Sequence, residues 1–212
     1  MNGVYFQDEQ RSDMKNKRNA MMSKGEIMNR LATSKEDILA ASRDLIKENG
    51  WAAVSIRAVA SRCSVSAGTI YNYYESKADL LSDTIESIWH EIFFHPEDEQ
   101  VFHDVESCIS WIYERLEYGN RQFPGFFSLH SFGFMRDEKT SGKKRMMKTW
   151  GHILNGLCEV LGNDPKVRAD VFDQEFTEKK FADILFSLIL VSMIRQDYDP
   201  SSVLMLVKKT LY

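Results

Sequence analysis

One stretch of the chain, Ser55 to Lys77, limits the possible folds more than any other feature of the sequence. It reads SIRAVASRCSVSAGTIYNYYESK, and its pattern predicts two short helices joined by a tight break at residues 62–64. Ser55 and Ser66 stand where the two helices begin, and a serine hydroxyl there accepts a backbone N–H two or three residues later. The apolar residues that recur at helical spacing are Ile56, Val59, Ala60, Val65, Ile70 and Tyr74.

The second of these helices, about residues 66–74, carries many polar groups that its core does not need. Gly68 allows a close approach of another molecule, and Lys77 follows at the start of the next helix, where its ammonium can meet a phosphate. A water-soluble helix with a hydroxyl, amide and phenol surface suits the major groove of DNA. The residues that form this surface are Thr69, Tyr71, Asn72 and Tyr73.

In order and spacing, this segment resembles the helix-turn-helix of the tetracycline-repressor (TetR) family of bacterial transcription regulators. The resemblance covers residues 34–88, about a quarter of the chain. Beyond it the chain resembles the family only in length and in its all-helical character. The residues that carry the resemblance are Gly50, Trp51, Val54, Ser55, Ile56, Ala60, Val65, Ser66, Ala67, Gly68, Thr69, Ile70, Tyr71, Tyr73, Tyr74, Lys77, Ala78, Asp79, Leu80 and Leu81.

The resemblance implies which residues contact DNA. Tyr71 and Tyr73 would reach phosphates or base edges, and Asn72 could pair with an adenine. Ser55 would hold a phosphate with help from the N-terminus of its helix. Tyr74, by contrast, we assign to core packing. The predicted DNA-contact residues are Ser55, Ser66, Ala67, Gly68, Thr69, Tyr71, Asn72, Tyr73 and Lys77.

Two positions depart from the family pattern. Ser64 stands where the turn usually has glycine, so we expect this serine to adopt a left-handed backbone conformation at some cost. Ala67 stands where the recognition helix often has lysine or arginine, which removes a contact to a phosphate or a guanine. Both departures bear on DNA affinity and leave the expected fold unchanged.

The charge distribution bears on how such a chain could bind DNA. The net charge is −4, and residues 34–82 hold six basic and six acidic residues, so this segment is neutral. Residues 1–33 carry +2 and residues 83–212 carry −6. A neutral helix-turn-helix predicts few phosphate contacts per subunit, so useful affinity would need two copies acting together.

The first 33 residues have no sustained apolar periodicity and are interpreted as a flexible extension. Their basic residues would form an arm that touches the minor groove or the DNA backbone. The alternative is a solvated tail, since mixed charge is common at chain termini. The residues of the predicted arm are Lys15, Lys17, Arg18, Lys24 and Arg30.

Capping signals and apolar periodicity predict the remaining helices and an all-α fold. The first helix begins at a capping box after Ser34 and ends at Gly50. A fourth helix begins near Lys77 and ends before Pro96. Further helices are expected at 101–122, 126–135, 143–161, from Pro165 to about Gln196, and 203–211. With the resemblance, this predicts an extension (1–33), a three-helix DNA-binding module (34–82) and a helical effector-binding and dimerisation domain (83–212).

The segment from Phe181 to Ile194 is apolar on all sides of its helix. It is too short to cross a bilayer, which takes roughly 20 residues, so no membrane association is expected. A helix of this kind must be covered all round, and we interpret its outer side as a contact with a second subunit. The alternative is a central core helix in a monomer.

The resemblance implies that the last two long helices, here about 171–196 and 203–211, form a four-helix dimer interface. A dimer places two recognition helices in successive major grooves, roughly 34–36 Å apart, and so predicts a pseudo-palindromic operator. The predicted interface residues are Phe181, Leu185, Leu188, Ser192 and Leu204.

Aromatic and methionine side chains are dense in the second domain. Most are expected to be ordinary core, but side chains of these types also line ligand sites. With the resemblance, they predict a pocket for a small hydrophobic or aromatic effector between the helices at 101–122, 126–135 and 143–161. The predicted ligand-binding residues are Trp89, Phe93, Trp111, Phe123, Phe127, His130, Phe134, Met147 and Trp150.

Other classes of protein find less support. The chain has no GxSxG, HExxH, Walker or GxGxxG motif. We therefore do not expect the protein to be an enzyme, to have catalytic residues or to bind a cofactor. Three widely spaced cysteines argue against disulfides or a zinc site and fit the cytoplasm. We therefore expect a cytoplasmic, nucleoid-associated homodimeric regulator, most simply a repressor. The alternatives are a helical sensor or interaction protein that no longer binds DNA, and a DNA-organising protein without an effector.

Overall fold

The computed structural model describes residues 33–93, 102–127 and 141–212. In the last range it describes the backbone throughout and the side chains from residue 150 onward. Over these ranges the chain forms eight α-helices and one 3₁₀ turn and no strand, which confirms the all-α fold class. The chain divides into two compact units, one up to Leu80 and one from Leu81 onward.

The helices follow one another along the chain as α1 (Lys35–Asn49), α2 (Ile56–Arg62), α3 (Ala67–Tyr71), α4 (Lys77–Phe93), α5 (Val105–Gln122), α6 (Ser141–Asn163), α7 (Glu178–Arg195) and α8 (Ser201–Leu211). The 3₁₀ turn, Trp51–Ala53, lies between α1 and α2. The division between the two units falls within α4.

Helix α1 begins and ends at the signals predicted for it. The Ser34 hydroxyl accepts the N–H of Asp37 at 3.1 Å, and the Asp37 carboxylate accepts the N–H of Ser34 at 2.8 Å. The hydrogen bond from the Ser34 hydroxyl is the main reason that the pKa of Asp37 is lowered. At the other end Gly50 has a φ of 75° and donates its N–H to the carbonyl of Ile46. Glycine is favoured there because it has no Cβ to clash at positive φ.

The apolar faces of α1, α2 and α3 form the core of the first unit. Arg62 joins α2 to α1, because its guanidinium donates to the Glu48 carboxylate at 2.7 Å. This hydrogen bond lowers the pKa of Glu48 and raises that of Arg62. The buried apolar residues of this core are Ile38, Leu39, Ala41, Ile46, Val54, Ile56, Val59, Ala60, Ile70 and Tyr74.

Helix α5 contacts most of the other helices in the second unit. It packs against α6 and α8, and the hydroxyls of Tyr113 and Ser192, 2.8 Å apart, join it to α7. Arg115 donates to the carbonyls of Ile92 and Glu91 at the end of α4. The residues that α5 buries are Val105, Cys108, Ile109, Ile112, Tyr113, Leu116 and Gly119.

A buried carboxylate, Asp164, ties the start of α5 to the end of the chain. It accepts the N–H of Val105 at 2.9 Å, the N–H of Lys166 at 2.8 Å and the hydroxyl of Tyr212 at 2.5 Å. Nearby, the Lys166 ammonium donates to Asp104 at 2.7 Å. That bond, with the Ser107 N–H, lowers the pKa of Asp104 to about 2. These contacts hold the residues after α6 against the start of α5.

The prediction that a long helix begins at Pro165 is wrong. Helix α7 begins only at Glu178, and the residues before it form turns. The Asp173 carboxylate accepts the N–H groups of Glu175 at 2.8 Å and Phe176 at 2.6 Å. A side chain that takes up backbone N–H groups in this way competes with helix formation, which periodicity alone does not reveal.

Gly119 marks a close approach within the second unit. A Cβ added there would lie 2.6 Å from Cδ1 of Ile92 and 3.0 Å from Cζ of Phe127. We expect Gly119→Val to lower the free energy of unfolding by about 2 kcal/mol, because both neighbours are buried and must shift. Urea unfolding followed by circular dichroism measures this effect. In the control Gly151→Val the new Cβ meets nothing within 4 Å, so equal losses in the two variants would contradict the prediction.

Candidate nucleic-acid interface and internal cavity

The recognition helix is shorter than the predicted span 66–74. Helix α3 ends at Tyr71, and Asn72 is its C-cap. At its start the Ser66 hydroxyl accepts the N–H of Thr69 at 3.1 Å and lies 3.0 Å from the Thr69 hydroxyl. Ser66 therefore caps the helix as predicted. Five of the predicted contact residues are exposed on this short helix and directly after it: Ser66, Gly68, Tyr71, Asn72 and Tyr73.

The tyrosines at the end of α3 and just after it have different environments. Tyr74 is only 4% exposed, and the Lys35 ammonium lies 5.6 Å from the centre of its ring. Tyr71 is 56% exposed although it directly follows the fully buried Ile70. The assignment of Tyr74 to the core is confirmed, and the Tyr71 side chain is free to meet another molecule.

Tyr73 has a structural contact that sequence reasoning missed. Its hydroxyl donates to the carbonyl of Thr33 at 2.8 Å, and Thr33 itself is buried. The ring is 38% exposed. Tyr73 thus holds the residue before α1 against the end of α3, and its phenol oxygen can still accept one more hydrogen bond.

The N-terminus of α2, which is close in sequence to α3, also carries polar side chains. The Ser55 hydroxyl accepts the N–H of Ala58 at 3.1 Å and so caps α2. Arg57 lies in the first turn of the same helix with an exposed side chain. Arg57 was absent from the predicted contact residues. The available signal was its place two residues after Ser55, on the polar side between Ile56 and Val59.

The cations of the first unit are not equally available. Arg43 lies 2.9 Å from Glu36, and Arg62 is held by Glu48. Arg57 and Lys77 are exposed and have no hydrogen-bond or ion-pair partner within the described ranges. These two side chains are therefore the ones that can approach a phosphate without first breaking a contact.

The break between α2 and α3 has the strained conformation expected of it. Ser64 has a φ of 57°, in the left-handed region that favours glycine. The next residue, Val65, donates its N–H to the carbonyl of Ala60 at 2.9 Å, which closes the turn. The prediction for Ser64 is confirmed.

A cavity of about 770 Å³ lies in the second unit between α5 and α6. Four buried side chains form its floor, which is mainly apolar: Phe93, Cys108, Ile112 and Leu157. Two half-buried aromatic rings, Phe102 and Trp111, form a wall. Four exposed polar residues form the rim: His103, His152, Glu159 and Asn163.

The cavity floor holds no charged nucleophile. Cys108 is only 4% exposed, and burial raises the pKa of its thiol to about 12. The thiol therefore stays protonated at neutral pH and acts as a small apolar surface. The arrangement suits the binding of an apolar body with a polar group at the rim.

Comparison with known proteins agrees with the geometry of the first unit. Residues 38–84, which hold α2, α3 and the break between them, match the model of the tetR family of bacterial regulatory proteins. The helix-turn-helix of this chain is thus similar to that of the TetR family. The HTH-type transcriptional regulator UidR of Escherichia coli (strain K12) is 38% identical over 48 residues, which are 23% of this chain and 24% of UidR. The chain thus matches about a quarter of the length of this curated relative, within the helix-turn-helix module.

Solved structures share the fold over most of the chain. FadR from Bacillus subtilis, solved in complex with stearoyl-CoA, is 18% identical with a TM-score of 0.57, over 84% of this chain and 100% of that chain. A TetR transcription regulator from Haloarcula marismortui is 18% identical with a TM-score of 0.59, over 84% and 95% of the two chains. At these identities the likeness shows the fold alone.

The predicted ligand-binding residues lie in different environments. Phe93 and Trp111 line the cavity. The rings of Trp89 and Phe127, 5.5 Å apart, are buried in an aromatic cluster with Phe126.

The remaining predicted ligand-binding residues either lie away from the cavity or fall outside the described residues. Phe123 belongs to the buried aromatic cluster, and Trp150 packs on Phe186 at 5.8 Å. Neither is among the lining residues of the cavity. His130, Phe134 and the side chain of Met147 lie outside the described residues. Among the lining residues that the sequence-based prediction missed are Phe102, Cys108, Gly156 and Glu159. Gly156 and Glu159 could have been found, because residues 152, 156, 159 and 163 recur at helical spacing on one face of α6.

The predicted interface residues also differ in their environments within the subunit. Phe181 and Leu185 are buried within the subunit, because they form the inner face of α7. Ser192 is engaged with Tyr113. Leu188 and Leu204 are half-buried. The large apolar side chains that α7 and α8 expose are instead Ile184, Val191, Ile194, Met205 and Leu206, each between 38% and 57% exposed.

Membrane spans and metal sites can be judged for the described residues only. None of their helices is long and apolar enough to cross a membrane. No three of their histidine, cysteine, aspartate and glutamate side chains come together as a metal site would require.

Proposed function

We propose that this chain is a DNA-binding transcription regulator of the TetR family, that it binds a pseudo-palindromic operator as a homodimer, and that a small, mainly apolar ligand releases it. The main support for DNA binding is the exposed side chain of Tyr71 on α3, a short helix capped by Ser66. Such a helix can enter the major groove, which is wide enough for a helix. A protein with this activity works in the bacterial cytoplasm, on the nucleoid.

The DNA surface that we propose combines α3 with the starts of α2 and α4. Tyr71 and Asn72 are exposed at the end of α3 and would reach base edges. Arg57 and Lys77, which have no partner within the described ranges, would each meet a phosphate. Ser55 would add a phosphate contact at the N-terminus of α2, beside its capping role.

The proposal of a homodimer is supported by the charge of the helix-turn-helix and by exposed apolar surface. The helix-turn-helix segment 34–82 is neutral, so one copy would gain little from the phosphates. Two linked copies multiply their affinities through effective concentration. The apolar side chains exposed on α7 and α8 support the second copy as their partner, since residues of this size are costly to leave in water.

The release by a ligand is supported by the cavity and by the course of α4. Phe93, the last residue of α4, lines the cavity, while the first residue, Lys77, belongs to the helix-turn-helix unit. A ligand that prefers one position of α4 would shift the population of the regulator between two states. A protein of the same fold, FadR, has been solved with stearoyl-CoA bound, which supports a ligand-binding role for the fold. Occupation of a promoter by such a dimer would block transcription, so we propose a repressor.

Selection of bound sequences from a random DNA pool tests the proposal. Wild type should enrich a pseudo-palindrome, and Tyr71→Ala should bind that sequence about 10 to 100 times more weakly, since each base or phosphate contact contributes roughly 1–3 kcal/mol. Tyr71→Phe, which keeps the ring, separates the contribution of the hydroxyl. Tyr118→Ala in α5, in the other unit, is the matched control and should bind like wild type. Failure of wild type to enrich any sequence at low salt would contradict DNA binding and favour a sensor without DNA.

A further inference from the structure

The chemistry of the cavity indicates which kind of ligand it selects. We infer that the cavity between α5 and α6 takes a ligand with a flat aromatic body and an amine head group, with the amine held as a cation at Glu159. This inference rests on the ligand-binding part of the proposed function and names the ligand class for that site.

The body of the ligand is indicated by the rings around Trp111. The centre of its ring lies 6.0 Å from that of Phe93, with the planes inclined by 66°, and 5.3 Å from that of Phe102, with an inclination of 57°. Three rings set at such angles present both faces and edges to the space beside them. Aromatic pairs prefer offset or edge-to-face contacts of this kind, so a flat aromatic ligand would complete the cluster.

The head group is indicated by the charges of the rim. Glu159 carries the one formal charge among the fourteen described residues that line the cavity, and none of the fourteen is lysine or arginine. The cation that follows the lining residue Pro165, Lys166, already donates to Asp104 at 2.7 Å. Lys208 likewise lies 3.0 Å from Glu106. An anionic head would therefore meet a carboxylate with no free cation among the described lining residues, whereas an ammonium would be attracted by it.

The aromatic wall strengthens the preference for a cation. An ammonium near the face of an indole or phenyl ring is attracted by the negative charge of the ring face. His103 and His152 can add hydrogen bonds at the rim. The same reasoning disfavours a ligand such as a coenzyme A thioester, whose phosphates would find no lysine or arginine among the described lining residues.

Gly156 provides the means to close the cavity without disturbing the helix. It lines the cavity, and a Cβ added there would meet nothing within 4 Å. Gly156→Leu therefore places a side chain in the cavity itself. Gly151, on the same helix, also has nothing within 4 Å of an added Cβ and does not line the cavity, so Gly151→Leu is its matched control.

Three probes with the same body and different head groups test the inference on the full chain without DNA. They are 9-(aminomethyl)anthracene, 9-anthracenemethanol and anthracene-9-carboxylate, each titrated by fluorescence anisotropy at pH 7. The amine should bind at least 10 times more tightly than the carboxylate. Glu159→Gln should reduce that ratio to threefold or less. Gly156→Leu should weaken binding of the amine at least 10-fold. Glu117→Gln, an exposed residue of α5 outside the cavity lining, and Gly151→Leu should leave both values unchanged.

The outcomes separate the ligand class from the regulatory role. Binding of the carboxylate as tightly as the amine, no binding of the amine, or a ratio unchanged in Glu159→Gln would each overturn the inference. The regulatory role is measured separately, by adding the bound probe to the complex with the selected operator. A probe that binds in the cavity and leaves operator affinity unchanged would overturn ligand release, while the ligand class stands.

Discussion

Replacing Val191 and Met205 by aspartate should turn the proposed dimer into a monomer and lower the affinity for the proposed operator about 100-fold or more. Val191 is 42% exposed on α7 and Met205 is 57% exposed on α8. A carboxylate at either position would have to lose its water on burial against a second copy, which costs several kcal/mol when no cation compensates. The loss of the second copy removes the gain from effective concentration, which is roughly 100-fold to 10,000-fold.

Analytical ultracentrifugation and operator titration of the same samples measure the two effects together. Asn155→Asp adds one carboxylate at an exposed position of α6 and should leave both values as in wild type. A double variant that stays dimeric would show that the exposed apolar faces of α7 and α8 are not the interface. A monomer that binds the operator as tightly as wild type would contradict the argument that a neutral module needs two copies.

Replacing Asp164 by alanine should lower the free energy of unfolding of the second unit by about 3 kcal/mol. The carboxylate accepts hydrogen bonds from the N–H groups of Val105 and Lys166 and from the hydroxyl of Tyr212. Hydrogen bonds to charged groups contribute roughly 1.5–3 kcal/mol, and a buried donor left without a partner costs about 1–3 kcal/mol. Because Asp164 is buried, water cannot easily replace the lost acceptor.

Urea unfolding followed by tryptophan fluorescence measures this loss. Asp170→Ala is the control, since that carboxylate is 85% exposed and its contact with Arg168 is 3.8 Å long. Exposed pairs of this kind contribute roughly 0–1 kcal/mol. Tyr212→Phe, which removes one of the three donors, should lie between the two. A loss in Asp164→Ala no larger than in Asp170→Ala would mean that the Asp164 contacts do not hold the second unit together.

The local features of the helix-turn-helix followed from the sequence. Capping at Ser55 and Ser66, the glycine at Gly50 and the left-handed Ser64 all depend on atoms within a few residues of one another. Tyr74 was separated from its neighbours by helical spacing from Ile70. Interactions of this range can be predicted because the chain itself sets the distances between the partners.

The charges of the same module were only partly predictable. Its neutrality is visible in the sequence, but which cations are available is not. Arg62 is bound by Glu48, fourteen residues away, while Arg57 has no partner within the described ranges. Such pairs form between helices, so they depend on how α1 and α2 pack rather than on spacing along either helix.

The side chains that line the cavity could be predicted from the sequence only in part. The composition of the second unit indicated aromatic side chains near a ligand, and two of them, Phe93 and Trp111, do line a cavity. Trp89 and Phe127 have the same chemistry and are packed against one another instead. Periodicity identifies the side of a helix that faces inward, but it does not tell which inward side chains meet a neighbour and which meet a gap.

The sequence by itself thus determined the all-α class, the ends of most helices, the DNA-binding module and the residues at its caps, because these depend on short-range hydrogen bonds and on helical spacing. Only the tertiary structure decided the start of α7, the side chains that face the cavity and those that α7 and α8 leave exposed. These features arise where residues far apart in the chain are packed at close range, and their positions follow from the packing of whole helices.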